Sequence, residues 1–155
     1  MKNLITDRTA ADVVRWKALH DKGWDAMTPE EQAEWVNGMK GAYNYTDMNR
    51  VESAVKELEA RFLTKGTRLR LTTKTDWART SWPTESDMLR YFSNVAKVRA
   101  AVGVNLNTPA APTTTILFDY KKANDIEEIL LAVSGWLDRV EESQMYCGDL
   151  YLGEV

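Results

Sequence analysis

One cysteine and one histidine in 155 residues leave little material for reactive chemistry. A lone Cys147 allows no internal disulfide, a count that fits a reducing compartment. His20 and Cys147 stand 127 positions apart, and a zinc site needs several such ligands. A nucleophile pair built from the two has no supporting local pattern. Basic runs are also missing: 20 Lys and Arg against 23 Asp and Glu give a net charge of −3, with no general attraction to nucleic acid or anionic membranes. The opening residues, Met1 to Arg8, lack the apolar stretch of a signal peptide, and no apolar run approaches a membrane span. A soluble protein made in the cytoplasm is expected.

The same poverty extends to motifs. Gly38-Met39-Lys40-Gly41 is too short for a phosphate loop and lies outside a strand-to-helix context. Glu30-Glu31, Glu127-Glu128 and Glu141-Glu142 fall on predicted helix surfaces, where a solvated face is the ordinary role. The expectation is a protein that is not an enzyme, with no catalytic residues, cofactor or metal.

What the chain does contain is repetition. Residues 43–58 and 118–133 match at a spacing of 75: Tyr45 with Tyr120, Asn49 with Asn124, Glu52 with Glu127. The apolar Val51, Val55 and Leu58 fall on Ile126, Leu130 and Val133. A weaker third copy lies 40 positions after the first, where Asp47 and Arg50 match Asp87 and Arg90. Each copy carries an apolar stripe spaced 3, 4, 3, 4: Met48 to Phe62, Met88 to Val102, and Ala123 onward to Val140. That period is helical and each stripe predicts one buried face. Three long helices are thus expected near 43–63, 84–102 and 118–142. Asn44, Thr84 and Asp119 are the expected N-caps.

Two short helices precede them. One begins after Thr9 and stops at Gly23, with Val13, Trp16 and His20 on one face. The next opens on Thr28-Pro29-Glu30-Glu31, a capping box with proline at the first helical position. Residues 67–73 alternate, so that Leu69 and Leu71 face one way and Arg68 and Arg70 the other, as in a strand. The partner for that strand is sought at 144–152, giving a small hairpin. The fold class is therefore mainly α: a single helical domain over 1–155, a bundle of three longer helices with two short ones and this hairpin.

The repeated Asn-x-x-Glu, at 49 and 52 and again at 124 and 127, admits two readings. It can satisfy loop backbone near each helix start, or serve as a polar docking point; the first is favoured because early-turn polar residues usually cap. Of the six tryptophans, most are expected in or near the core. Trp77 and Trp82 flank a polar loop and are the interface candidates, with Tyr146 and Tyr151 behind them.

The words from Leu4 to Thr9, Gly23-Trp24, Met27 to Glu31 and above all Gly38 to Glu52 resemble a module in minor structural and tail-associated proteins of phages and prophages of Gram-positive gut bacteria. Lys74 to Trp77, Ala123 to Glu127 and Tyr146 to Glu154 are similar as well, so the resemblance spans nearly the whole chain. It implies a virion component near the tail tip or baseplate, with no catalytic residues to transfer and a module standing alone. Partners are then other tail proteins or a second copy. A small cytoplasmic adaptor or regulatory protein is the alternative, and a glycan-binding module for host attachment is a third idea resting on the exposed aromatics.

Overall fold

The computed structural model describes residues 3–103 and 107–149. Its helices are α1 (Ala10–Lys22), α2 (Pro29–Asn37), α3 (Tyr45–Thr64), α4 (Glu85–Ala100) and α5 (Tyr120–Asp149), with a 3-10 turn at Trp24–Ala26. Four of them start on reciprocal capping boxes: Thr9 with Asp12, Thr28 with Glu31, Asn44 with Asp47, and Thr84 with Asp87. Each box satisfies two backbone donors that a helix start would leave open. At α5 the Asp119 carboxylate accepts from the backbone of Lys122.

The three stripes bury one core between α3, α4 and α5. Val51, Val55, Leu58 and Phe62 meet Tyr91, Val95, Val98 and Val102, and both meet Ile126, Leu130, Val133 and Leu137. Ala54, Phe92 and Ile129 widen the stripes and join the same cluster. Trp136 stacks on Phe62 from the side, centroids 6.4 Å apart. The mainly α bundle is as the periodicity predicts, because these apolar faces have only one another to cover them.

Ion pairs give the helix directions. Glu52, early in α3, binds Arg90, early in α4. Glu127, early in α5, binds Arg50, early in α3. Arg61, late in α3, reaches Asp138 and Glu141, late in α5. The long helices therefore run parallel, and each connection must travel back along the bundle. A 20-residue helix is roughly 30 Å long, a distance that extended chain covers at about 3.3 Å per residue. The return segments are straps, not turns.

Among the described residues the expected hairpin does not form. Among the described residues there is no strand, and 144–149, the proposed partner of 67–73, continues α5; residues 150–152 lie outside the described ones. An isolated two-stranded ribbon is marginal in water, whereas extending a packed helix adds one bond per residue. Leu69 and Leu71 do pack on the core as the alternation requires, but Arg70 sits at φ +52 and breaks the strand geometry. Helix side chains satisfy this strap's backbone instead. Leu71 donates to Glu59 (2.7 Å), while the Thr72 carbonyl accepts from Arg90 and Asn94 (both 2.7 Å).

Candidate functional site

Two places on the bundle share one construction, and both are built on the repeated Asn-x-x-Glu. On α3, the Asn49 side chain grips both backbone groups of Trp77: its amide donates to the Trp77 carbonyl and its oxygen accepts the Trp77 N–H, each at 2.8 Å. One turn on, Glu52 accepts the Lys74 N–H at 3.2 Å. On α5, Asn124 holds Arg8 the same way (2.9 and 3.2 Å), and Glu127 accepts the Ile5 N–H at 2.6 Å. In each case the clamp takes an extended segment at two points three residues apart. The two segments read Lys74-Thr75-Asp76-Trp77 and Ile5-Thr6-Asp7-Arg8, with Thr-Asp in the middle of both.

An arginine from the neighbouring helix completes each clamp. Arg90 of α4 forks onto Glu52 at 2.8 and 3.2 Å; Arg50 of α3 forks onto Glu127 at 2.8 and 3.1 Å. Bidentate pairing of this kind is the strong form of the carboxylate–guanidinium bond. The α5 clamp is further elaborated: Arg8 reaches Glu127 at 2.7 Å and Asp47 at 2.9 Å, and Asp47 also binds Arg50. Two cations and two anions thus balance in a site where Glu127 is fully buried. The Arg50 pKa is raised: burial works against the charged form, and hydrogen bonds to Glu127 and Asp47 outweigh it. Above the cluster the hydroxyls of Tyr43 and Tyr91 bond to each other, and burial raises both phenols above the usual tyrosine range.

This geometry holds chain through its carboxylates. Both Glu127 oxygens accept two bonds each, from Arg8, Arg50 and the Ile5 amide. Glu52 accepts three, from Arg90 and the Lys74 amide. Of the roughly four lone-pair positions on each carboxylate, holding chain and arginine occupies all at Glu127 and three at Glu52. Asn-x-x-Glu therefore satisfies backbone, but of segments 28 and 116 residues away rather than of the loop at its own helix start.

The third repeat lacks the device. Forty positions after Asn49 and Glu52 stand Leu89 and Phe92, and Asp125 occupies in α5 the place of Arg50 and Arg90. The segment entering α5 is held by aromatic contact, Phe118 lying 5.5 Å from Phe92 and 5.2 Å from Tyr43. Further back, Arg99 grips Thr108 through its hydroxyl and carbonyl.

The interface candidates separate. Trp77 is only 4 % exposed, its ring under the Lys74 ammonium at 3.9 Å, and so is a strap anchor rather than a surface anchor. The polar loop that suggested otherwise begins one residue later. Trp82 is 87 % exposed, two residues before the Thr84 cap of α4. Tyr146 falls in the last turns of α5, its side chain outside the described ones, and Tyr151 lies outside the described residues altogether. Sequence reasoning passed over Arg8, Arg50 and Arg90 as clamp partners. The match of Arg50 with Arg90 and the doubled Thr-Asp were the available signals.

Two hollows flank the α5 clamp. A half-open pocket of about 280 Å³ lies between Val13, Lys40 and Gly41 on one side and Phe118, Tyr120 and Ala123 on the other. An open groove of about 550 Å³ runs beside α3, lined by Asn3, Ile5, Thr46, Arg50 and Ser53. Among the described residues no group of three or more His, Cys, Asp or Glu is placed to hold a metal, and no helix is long and apolar enough to cross a membrane. No protein-family model, curated protein or solved structure matches the chain.

Proposed function

We propose that this chain is a non-enzymatic structural protein of a phage or prophage tail, associated with the tail tip or baseplate and acting through protein–protein packing. The wording of residues 38–52 and its resemblance to tail-associated modules motivates the setting. The observation that carries the mode of action is the use made of the buried charges: Arg8, Asp47, Glu52 and Glu127 are all engaged in tying straps to helices. A scaffold braced in this way presents its surface to partners. Trp82, Ile116 and Leu117 are the most exposed of the large apolar side chains on that surface. Large exposed aromatics are the usual anchors of such contacts.

Mass spectrometry of purified particles from an induced lysogen, quantified against the major tail protein, tests the setting. A few copies per particle are expected. Absence from clean particles overturns the virion reading in favour of a cytoplasmic adaptor. Replacing Trp82 by Ala is expected to weaken association with the partner.

A further inference from the structure

The repeat places equivalent residues at all three edges of the bundle, and one edge differs in chemistry. Between α3 and α4, and between α5 and α3, an asparagine grips an extended segment. One turn on, a glutamate is locked by an arginine of the adjoining helix. At the edge between α4 and α5, Leu89 stands for the asparagine and Phe92 for the glutamate, while Asp125 of α5 stands for the arginine. Phe92 is buried and has its cover in Phe118, 5.5 Å away. Leu89 is exposed, and so are Ile116 and Leu117, the two residues before Phe118. Leu117 holds φ +56, the left-handed region that a leucine enters only with strain.

Asp125 is half-buried without a counter-charge. Burial, then the charge of Asp119, raises its pKa, and neither a hydrogen bond nor a cation counters them. The two lysines at the start of α5 are turned elsewhere: Lys122 donates to the Ile116 carbonyl, and Lys121 lies over the Tyr120 ring. We propose that the α4–α5 edge, at Leu89, Leu117 and Asp125, is a docking site for a partner protein that sets a Lys or Arg between apolar side chains. Such a cation gives Asp125 the pairing that Glu52 and Glu127 receive from within the chain. The apolar neighbours cover Leu89 and Leu117, whose burial favours association. A carboxylate already partly withdrawn from water has less hydration to lose when the cation arrives. Leu89 cannot grip a backbone as asparagine does, so the partner is held by its side chains. The site rests on the reading that the chain works through protein contacts, and not on the virion setting.

A displayed library of random peptides, selected on the immobilised full chain, tests it. The enriched sequences are expected to share a Lys or Arg flanked by apolar residues. Affinity for one such synthetic peptide is expected to fall about tenfold in Asp125→Asn, and further in Asp125→Lys, where two cations meet. Leu89→Asn is expected to weaken it as well, with helical spectra of each variant showing an intact fold. Enriched peptides without a cation, or equal binding to Asp125→Lys and the unaltered chain, overturn the proposal; so does a library that yields no binder. If Trp82→Ala still weakens partner association in that case, the packing reading stands and this site alone falls.

Discussion

Glu127 of α5 and Arg50 of α3 meet through two hydrogen bonds of 2.8 and 3.1 Å, with the carboxylate fully buried. The pair joins the first helix of the bundle to the last, and its second role is to receive the N-terminal strap at Ile5. Removing one partner of a buried pair strands the other charge, at a cost of about 3–5 kcal/mol. Glu127→Ala is expected to lower stability by that amount in urea unfolding. Arg15→Ala, which breaks an exposed pair with Glu34, is expected to leave the unfolding midpoint nearly unchanged. Equal effects of the two substitutions count against the clamp as a stabilising centre.

Asn49→Ala and Asn124→Ala each remove a side chain that holds both groups of one peptide segment. An unsatisfied buried group costs about 1–3 kcal/mol, so each variant is expected to lose that much in chemical denaturation. Both are part-buried clamps with the same geometry, and their losses are expected to be alike. A neutral result for either one denies that its segment is held there.

The two neighbouring tryptophans are expected to part company. Trp77→Ala empties a buried site and is expected to cost about 3–5 kcal/mol. Trp82→Ala removes an exposed ring and is expected to move stability by less than about 0.5 kcal/mol, while reducing partner association. Calorimetry of both, with a binding assay on the second, checks the contrast.

Asp125 stands where the other copies have arginine, and burial, then the charge of Asp119, raises its pKa above the usual 3.8. The folded state therefore holds its proton more tightly than the unfolded chain does. Its contribution to stability is fully present below the unfolded pKa and is lost as pH rises through the folded value. Asp125→Asn is expected to stabilise slightly at neutral pH, with the gain gone near pH 3. A gain that is independent of pH denies the electrostatic origin.

The helix caps titrate with the opposite sign. Hydrogen bonds from Thr9 to Asp12 and from Thr84 to Asp87 lower those carboxyls below 3.8. Their stabilisation is present above the unfolded pKa and fades as pH falls through the lowered values. Thr9→Ala and Thr84→Ala are each expected to cost about 1 kcal/mol at neutral pH, and less in strong acid. Melting curves at the two pH values decide it.

Much of the bundle was written locally. A stripe such as Val51, Val55, Leu58 and Phe62 declares a helix and its buried face, because 3.6 residues per turn is a property of the backbone itself. Thr28-Pro29-Glu30-Glu31 declares a helix start for the same reason, its bonds closing within four residues. Alternation at 67–73 correctly aimed Leu69 and Leu71 at the core, but could not reveal that side chains of α3 and α4, rather than a second strand, would satisfy the backbone.

The clamp was half legible. The repeated Asn-x-x-Glu, its place on one helix side and the three apolar stripes follow from spacing along the chain alone. That the long helices run parallel, that Asn124 holds Arg8 across 116 residues, and that Trp77 turns inward while Trp82 stays out emerge from packing in three dimensions. Hydrogen bonds and burial over such separations depend on which surfaces meet in space, and a helical stripe specifies a buried face without specifying the direction of its neighbour.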